Sequence, residues 1–257
     1  MDSRIIQLFV LIFIVLVVHT IYSFWVFPEV RILEAIAAET GSILPRTFVV
    51  IVKDIEQEIC LILFLWGIYL CIERYMNISS QSYLFDVDFL KNIENPTSDV
   101  LNTLDAIDDL PNEIKNTPLV QITSSSLRRF AITGSIQNAS EAIEPALESL
   151  AIRNEGELSI IKYITWAIPS IGFLGTVRGI GQAMTQAETA VAGNIGPMTS
   201  SLGIAFNSTF VALLVSIFLM MFLSYLQKTQ DDQLVNVQDY CERFLIRRIS
   251  QLNKTEE

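Results

Sequence analysis

Apolar residues in this chain gather into four long runs separated by polar stretches. An α-helix rises 1.5 Å per residue, so a bilayer core of roughly 30 Å takes about 20 helical residues. Residues 5–27, 59–76, 159–184 and 202–226 are long enough to cross it and predict four transmembrane helices. The first run follows Arg4 as a signal peptide would, but it continues past His19 to Phe27 without a small-x-small cleavage site. It predicts a retained helix, with Tyr22 and Trp25 suited to the interface belt.

Between the runs the pattern changes. Residues 79–118 are acidic and rich in Asn, Asp, Pro and Ser, which predicts irregular chain with short helices. Residues 138–153 (NASEAIEPALESLAIR) place Ile143, Ala146, Leu147 and Leu150 on one helical face and predict a helix running directly into the third span. After the fourth span, Leu234, Val237, Cys241, Phe244 and Leu245 form an apolar stripe opposite Asp231, Asp232, Asp239 and Arg243. The expected fold is an all-α integral membrane protein: four transmembrane helices, with long helical cytoplasmic extensions of spans three and four. Its expected parts are a two-span hairpin with an external loop (1–76), a cytoplasmic segment (77–158), spans three and four (159–226) and a cytoplasmic C-terminal helix (227–257).

Lysine and arginine orient these spans. The segment between spans one and two holds Arg31, Arg46 and Lys53, and the loop over 185–201 holds no Lys or Arg. The segment between spans two and three holds Lys91, Lys115, Arg128, Arg129 and Arg153, bordered by Arg74 and Lys162. The stretch after span four holds Lys228, Arg243, Arg247, Arg248 and Lys254. The positive-inside rule puts the last two segments and the N-terminus in the cytoplasm.

Composition narrows the function. The chain is 51% hydrophobic with mean hydropathy +0.44, above an ordinary soluble domain. A net charge of −11 argues against nucleic acid, which needs clustered Lys and Arg. Cys60, Cys71 and Cys241 show neither a disulfide framework nor metal-ligand spacing and read as small buried hydrophobes. One histidine, His19, excludes a multi-histidine metal site. No nucleophile–base pair or phosphate loop marks an enzyme, so no catalytic residue and no cofactor is assigned. Broken helices or inverted repeats of a solute transporter are not seen.

Span three contains AIPSIGFLGTVRGIGQAM, residues 167–184. Pro169, Gly172, Thr176, Gly179 and Ala183 share a face, and Gly175 and Gly179 form a GxxxG pair. In span four Ser201, Ala205, Ser208, Thr209, Ala212 and Ser216 make a second small or hydroxylated face. Such stripes either pack helices closely or line a narrow wet path, and spacing alone leaves both open.

The string PSIGFLGTVRGI, residues 169–180, resembles the ExbB and TolQ signature, a Pro before a Gly-Leu-x-Gly-Thr-Val-x-Gly run. LGIAFNSTFVALLVSI, residues 202–217, resembles that family's next helix. The chain is thus identified as a member of the MotA/TolQ/ExbB proton channel family over roughly 141–248. Two spans before the long cytoplasmic segment resemble the MotA plan.

The resemblance implies an ion-conducting subunit, for H⁺ or Na⁺, of a membrane motor or energy-transducing complex in the bacterial inner membrane. It implies a homopentamer around a dimer of a one-span MotB/TolR/ExbD-like partner carrying a membrane Asp. Thr176 and Thr209 take the positions of the family's ion-path threonines, beside Ser208, with Pro169 at a bend. Gly172, Gly175, Gly179, Ala205 and Ala212 take packing positions. Two positions depart from the pattern: Ile204 stands where some members have a membrane glutamate, and Ala212, a mild change, follows the second threonine where a small residue or glycine is usual. With no Asp or Glu in the core of span three or four, the titrating carboxylate is expected from the partner. The rival reading is a non-conducting membrane scaffold in which the small stripes only pack helices.

Three charged features remain. Arg178 lies about 200° around the helix from Thr176 and is expected to pair with Glu58 or Glu56, or else to snorkel toward Glu188. His19 reads as a buried neutral residue, with a proton relay as the alternative. Asp86, Asp88, Asp105, Asp108 and Asp109 read as a solvated acidic surface, with docking of a cytoplasmic partner as the alternative.

Overall fold

The computed structural model describes residues 3–40, 45, 47–88 and 98–246, and every element in them is helical. Arg46, Lys91, Arg247, Arg248 and Lys254 of the charge count, and the side chains of Phe244 and Leu245, lie outside the described residues. Four helical stretches are long and apolar enough to cross a membrane: Ile5–Ala37, Ile55–Asp86, Ile136–Thr185 and Gly196–Arg243. Each contains one of the four runs. The chain divides into two compact units, Met1–Glu73 with Ile160–Ser224, and Arg74–Ser159 with Tyr225–Glu257.

The first unit starts with α1 (Ser3–Ile21), a π turn (Tyr22–Val26) and α2 (Phe27–Thr40). Helix therefore continues past Phe27 into the region expected to be a loop. Val18, Tyr22, Val26 and Val30 form its buried stripe, with Leu61 and Ile62 packed against them. A spacing of four runs ahead of the 3.6-residue period by about 40° per step, and the wider π turn absorbs that drift. A short α3 (Phe48–Ile51) precedes α4 (Ile55–Ser79). Then come the membrane part of α9 (Ile143–Thr185), the short α10 (Ala187–Val191) and the first part of α11 (Gly196–Tyr240).

The second unit has its own apolar core. A 3₁₀ turn (Ser82–Asp86) leads to α5 (Ser98–Asp108), α6 (Asn112–Lys115), α7 (Pro118–Thr133) and α8 (Ile136–Glu141). Val100, Leu104 and Ile107 of α5 pack with Leu119, Val120, Ile122, Leu127 and Phe130 of α7, and with Val237, Tyr240 and Cys241. Ser126 Oγ donates to the Ala139 carbonyl at 2.7 Å, and Tyr240 OH donates to the Val87 carbonyl at 2.9 Å. Arg74 forms an ion pair with Glu157.

Helix α7 was not foreseen, because its run of Ser124, Ser125 and Ser126 disguises an amphipathic pattern. Its punctuation was nonetheless present: Pro118 opens the first turn and Gly134, at φ 63°, ends it in the left-handed region. Within the stretch Ile136–Thr185, the helix expected over 138–153 is interrupted at Ala142 alone, which keeps a right-handed helical backbone between α8 and α9. Pro145 has no N–H and its ring crowds the carbonyl four residues back, so the helix restarts with proline in its first turn.

Asp108 of this unit pairs with two cations, Lys115 and Arg128. Arg128 Nη2 donates to both of its oxygens at 2.9 and 2.8 Å, and Lys115 Nζ reaches Oδ1 at 2.8 Å. The Lys115 hydrogen bond, then the nearby Arg128 and Lys115 charges, hold its carboxyl below the ordinary aspartate range. A depressed carboxyl stabilises the fold above its unfolded value, and the gain is lost as pH falls through the folded one. The melting temperature of Asp108→Asn should therefore fall below wild type at neutral pH and converge with it in acid. A gap that persists at low pH would remove the electrostatic origin.

Candidate functional site

Helices α9 and α11 meet along their small residues. A Cβ built on Gly172 would lie 2.4 Å from Ala212 Cβ, and one on Gly175 would lie 2.5 Å from Ser208 Cβ. On Gly179 it would lie 2.6 Å from the Ala205 backbone nitrogen and 2.8 Å from the Ser201 carbonyl oxygen. No side chain larger than hydrogen fits at these rungs without moving a helix. The two stripes thus face each other within one chain, and their centre is a closed packing seam.

Thr176 and Thr209 sit between the Gly172 and Gly179 rungs and are only part-buried. Their hydroxyls are in mutual contact. Thr176 Oγ1 lies 3.3 Å from the Gly172 carbonyl and 3.1 Å from the Ala205 carbonyl, and Thr209 Oγ1 lies 3.3 and 3.4 Å from the same two oxygens. Two hydroxyl protons serve two carbonyl and two hydroxyl oxygens, so the contacts cannot all be donated at once. The cluster can change which oxygen receives each proton without moving a heavy atom. It carries no fixed charge.

Ser208 is buried beside this cluster, and its Oγ has no hydrogen-bond partner among the described residues. Pro169 lies inside α9, one turn before Gly172. It withholds a backbone donor from the Thr165 carbonyl, while the Thr165 hydroxyl bonds back to Ile161 at 2.8 Å.

Arg178 points away from the threonines. Its Nη2 donates to Glu56 Oε2 at 2.7 Å and Asp54 Oδ1 at 3.3 Å, with 39% of its side chain exposed. Within the chain, Glu58 is not its partner, and neither is Glu188. Glu56 and Glu58 stand about 200° apart around α4, so one helix face cannot present both. Glu58 instead faces α1, where its Oε1 lies 2.8 Å from His19 Nδ1. His19 is correspondingly not the buried residue expected: its side chain is 64% exposed. Asp54 was missed as the second partner of Arg178. It sits immediately before α4, where burial lifts its carboxyl above the ordinary range against the pull of Lys53 and Arg178. The signal for it was an acidic residue two positions before Glu56, at the helix start.

Cys60, Cys71 and Cys241 are buried free thiols. Among the described residues, no group of three or more His, Cys, Asp or Glu residues is placed to hold a metal ion. Residues 114–239 match the family described as the MotA/TolQ/ExbB proton channel family, a stretch that includes both threonines. No curated protein and no solved structure matches the chain.

Proposed function

We propose, for a chain that belongs over residues 114–239 to the MotA/TolQ/ExbB proton channel family, that it conducts H⁺ or Na⁺ and couples the flow to movement of a one-span partner. The observation that carries this reading is the Thr176–Thr209 hydroxyl pair at the edge of the α9–α11 seam, inside the matched stretch. A transient ion needs oxygens that reorient without a charge to trap it. Two hydroxyls and two helix carbonyls supply them, beside the unpartnered hydroxyl of Ser208.

In this reading the chain forms a homopentamer around a dimer of a partner carrying a membrane Asp. The family usually works with a partner membrane protein, and α9 and α11 provide no carboxylate at the threonine level. The complex sits in a bacterial inner membrane with the 77–158 segment on the cytoplasmic side, as the lysine- and arginine-free stretch over 185–201 favours.

The scaffold reading has an observation of its own, the closed glycine seam. The two readings divide the stripe between them: its centre packs helices and its edge meets the ion.

Ion flux in vesicles holding the chain with its one-span partner tests the proposal. Thr176→Ala and Thr209→Ala remove an oxygen each while leaving the glycine rungs intact. Each is expected to lower flux about tenfold or more, the effect of roughly 1.4 kcal/mol on the barrier. Intact, unplugged complexes that show no flux in any form would leave the scaffold.

A further inference from the structure

Glu58 is an ionisable group of the first unit that lies outside the threonine cluster. Glu58 lies in the first turn of α4, inside an apolar helix, and is only 7% exposed. A carboxylate in that position is costly unless it is paired or neutralised. Its ion-pair contact is the ring of His19, at the end of α1.

The surroundings are built for a polar occupant. Directly after His19 the backbone enters the π turn over Tyr22–Val26, and such turns recur at functional sites. The turn brings Tyr22 inward, where its hydroxyl is buried without a hydrogen-bond partner and within the electrostatic reach of Glu58 and Asp54. Gln57 is wholly buried; its Oε1 accepts from the Asp54 N–H at 2.7 Å, and its Nε2 has no partner. With Asp54 Oδ2, among the described residues, these make three buried polar side chains with unfilled hydrogen-bonding capacity at the start of α4.

We propose that Glu58 and His19 form a proton-binding site at the α1–α4 contact, separate from the threonine route. Without the added proton the pair carries one negative charge at an apolar helix contact; with it the pair is neutral, whichever partner holds the proton. The other charged groups nearby are already engaged. Asp54 and Glu56 are held by Arg178 from α9, and Lys53 by Glu34 from α2. Tyr22, which lies within electrostatic reach of Glu58, Cys60 and Asp54, completes the titratable groups of this corner. Glu58 is therefore the carboxylate of this cluster with no permanent cation.

His19 is the only histidine in the chain, so ¹⁵N-histidine labelling reports this site alone. The test uses the full chain in lipid vesicles and requires no ion flow, so it stands or falls independently of the channel reading. Imidazole ¹⁵N signals and the infrared carboxyl band are followed against pH in wild type, Glu58→Gln and His19→Gln. In wild type the ring and a carboxyl band should change over one shared pH interval. Glu58→Gln should abolish that band and displace the ring's titration; His19→Gln should keep the band but move it. Tyr22→Phe retains both members of the pair and should retain the shared interval, a control should Glu58→Gln fail to fold. A ring titrating identically in wild type and Glu58→Gln, or independently of any carboxyl band in both wild type and Tyr22→Phe, would overturn the proposal.

Discussion

Gly172→Ala is expected to destabilise the first unit by roughly 1–3 kcal/mol, the usual cost of overpacking, and Ala212→Gly in the same molecule is expected to recover most of it. The added methyl would land 2.4 Å from Ala212 Cβ, with the Ser208 carbonyl oxygen at 3.2 Å. Neither obstacle is the tip of a flexible side chain, so the helices themselves must separate. Separation would also disturb Thr176 and Thr209, since both hydroxyls use the Gly172 carbonyl. Ala212→Gly alone loses contact and helix propensity, about 1 kcal/mol. The double variant merely transfers one methyl across the seam. Unfolding measurements on the four forms in bicelles give the coupling directly. A large favourable coupling is expected. Strictly additive losses would show that the two helices do not meet at this rung.

Arg178→Glu is the second large effect. It would place a third carboxylate beside Asp54 and Glu56, whose side chains are 10% and 12% exposed. Breaking a fully buried pair costs roughly 3–5 kcal/mol, and the partly exposed guanidinium reduces that to about 2 kcal/mol. The yield of assembled protein should fall accordingly. Glu56→Arg in the Arg178→Glu background should restore it, because the pair is exchanged at the same contact. Glu58→Lys in that background should not, since Glu58 meets His19 on another face. Equal rescue by both would mean that the response follows net charge rather than contact.

How much of this was legible beforehand depends on the period of each feature. Four spans were readable because bilayer thickness converts directly into run length, and the small faces of α9 and α11 because helical spacing places residues on faces. The pairing of Thr176 with Thr209 rested on resemblance, since periodicity on one helix says nothing about its register against another. The helix of the first span runs beyond the apolar run because helix length and membrane thickness are different quantities: α2 continues after the run weakens. In α7 the turn residues at both ends were better guides than the serine-rich interior.

By itself, then, the sequence determined the helical membrane class, the four apolar spans, the stripes of small residues and the charge asymmetry between the connecting segments. Each is a property of local composition or of one helix's period. Only the tertiary structure decided that Gly172, Gly175 and Gly179 close upon Ala212, Ser208 and Ala205. It alone put the threonine hydroxyls on two shared carbonyls, divided Glu56 from Glu58, and gave His19 a partner. These contacts depend on the rotation and register of packed helices, which interlocking side chains choose together and no single segment encodes.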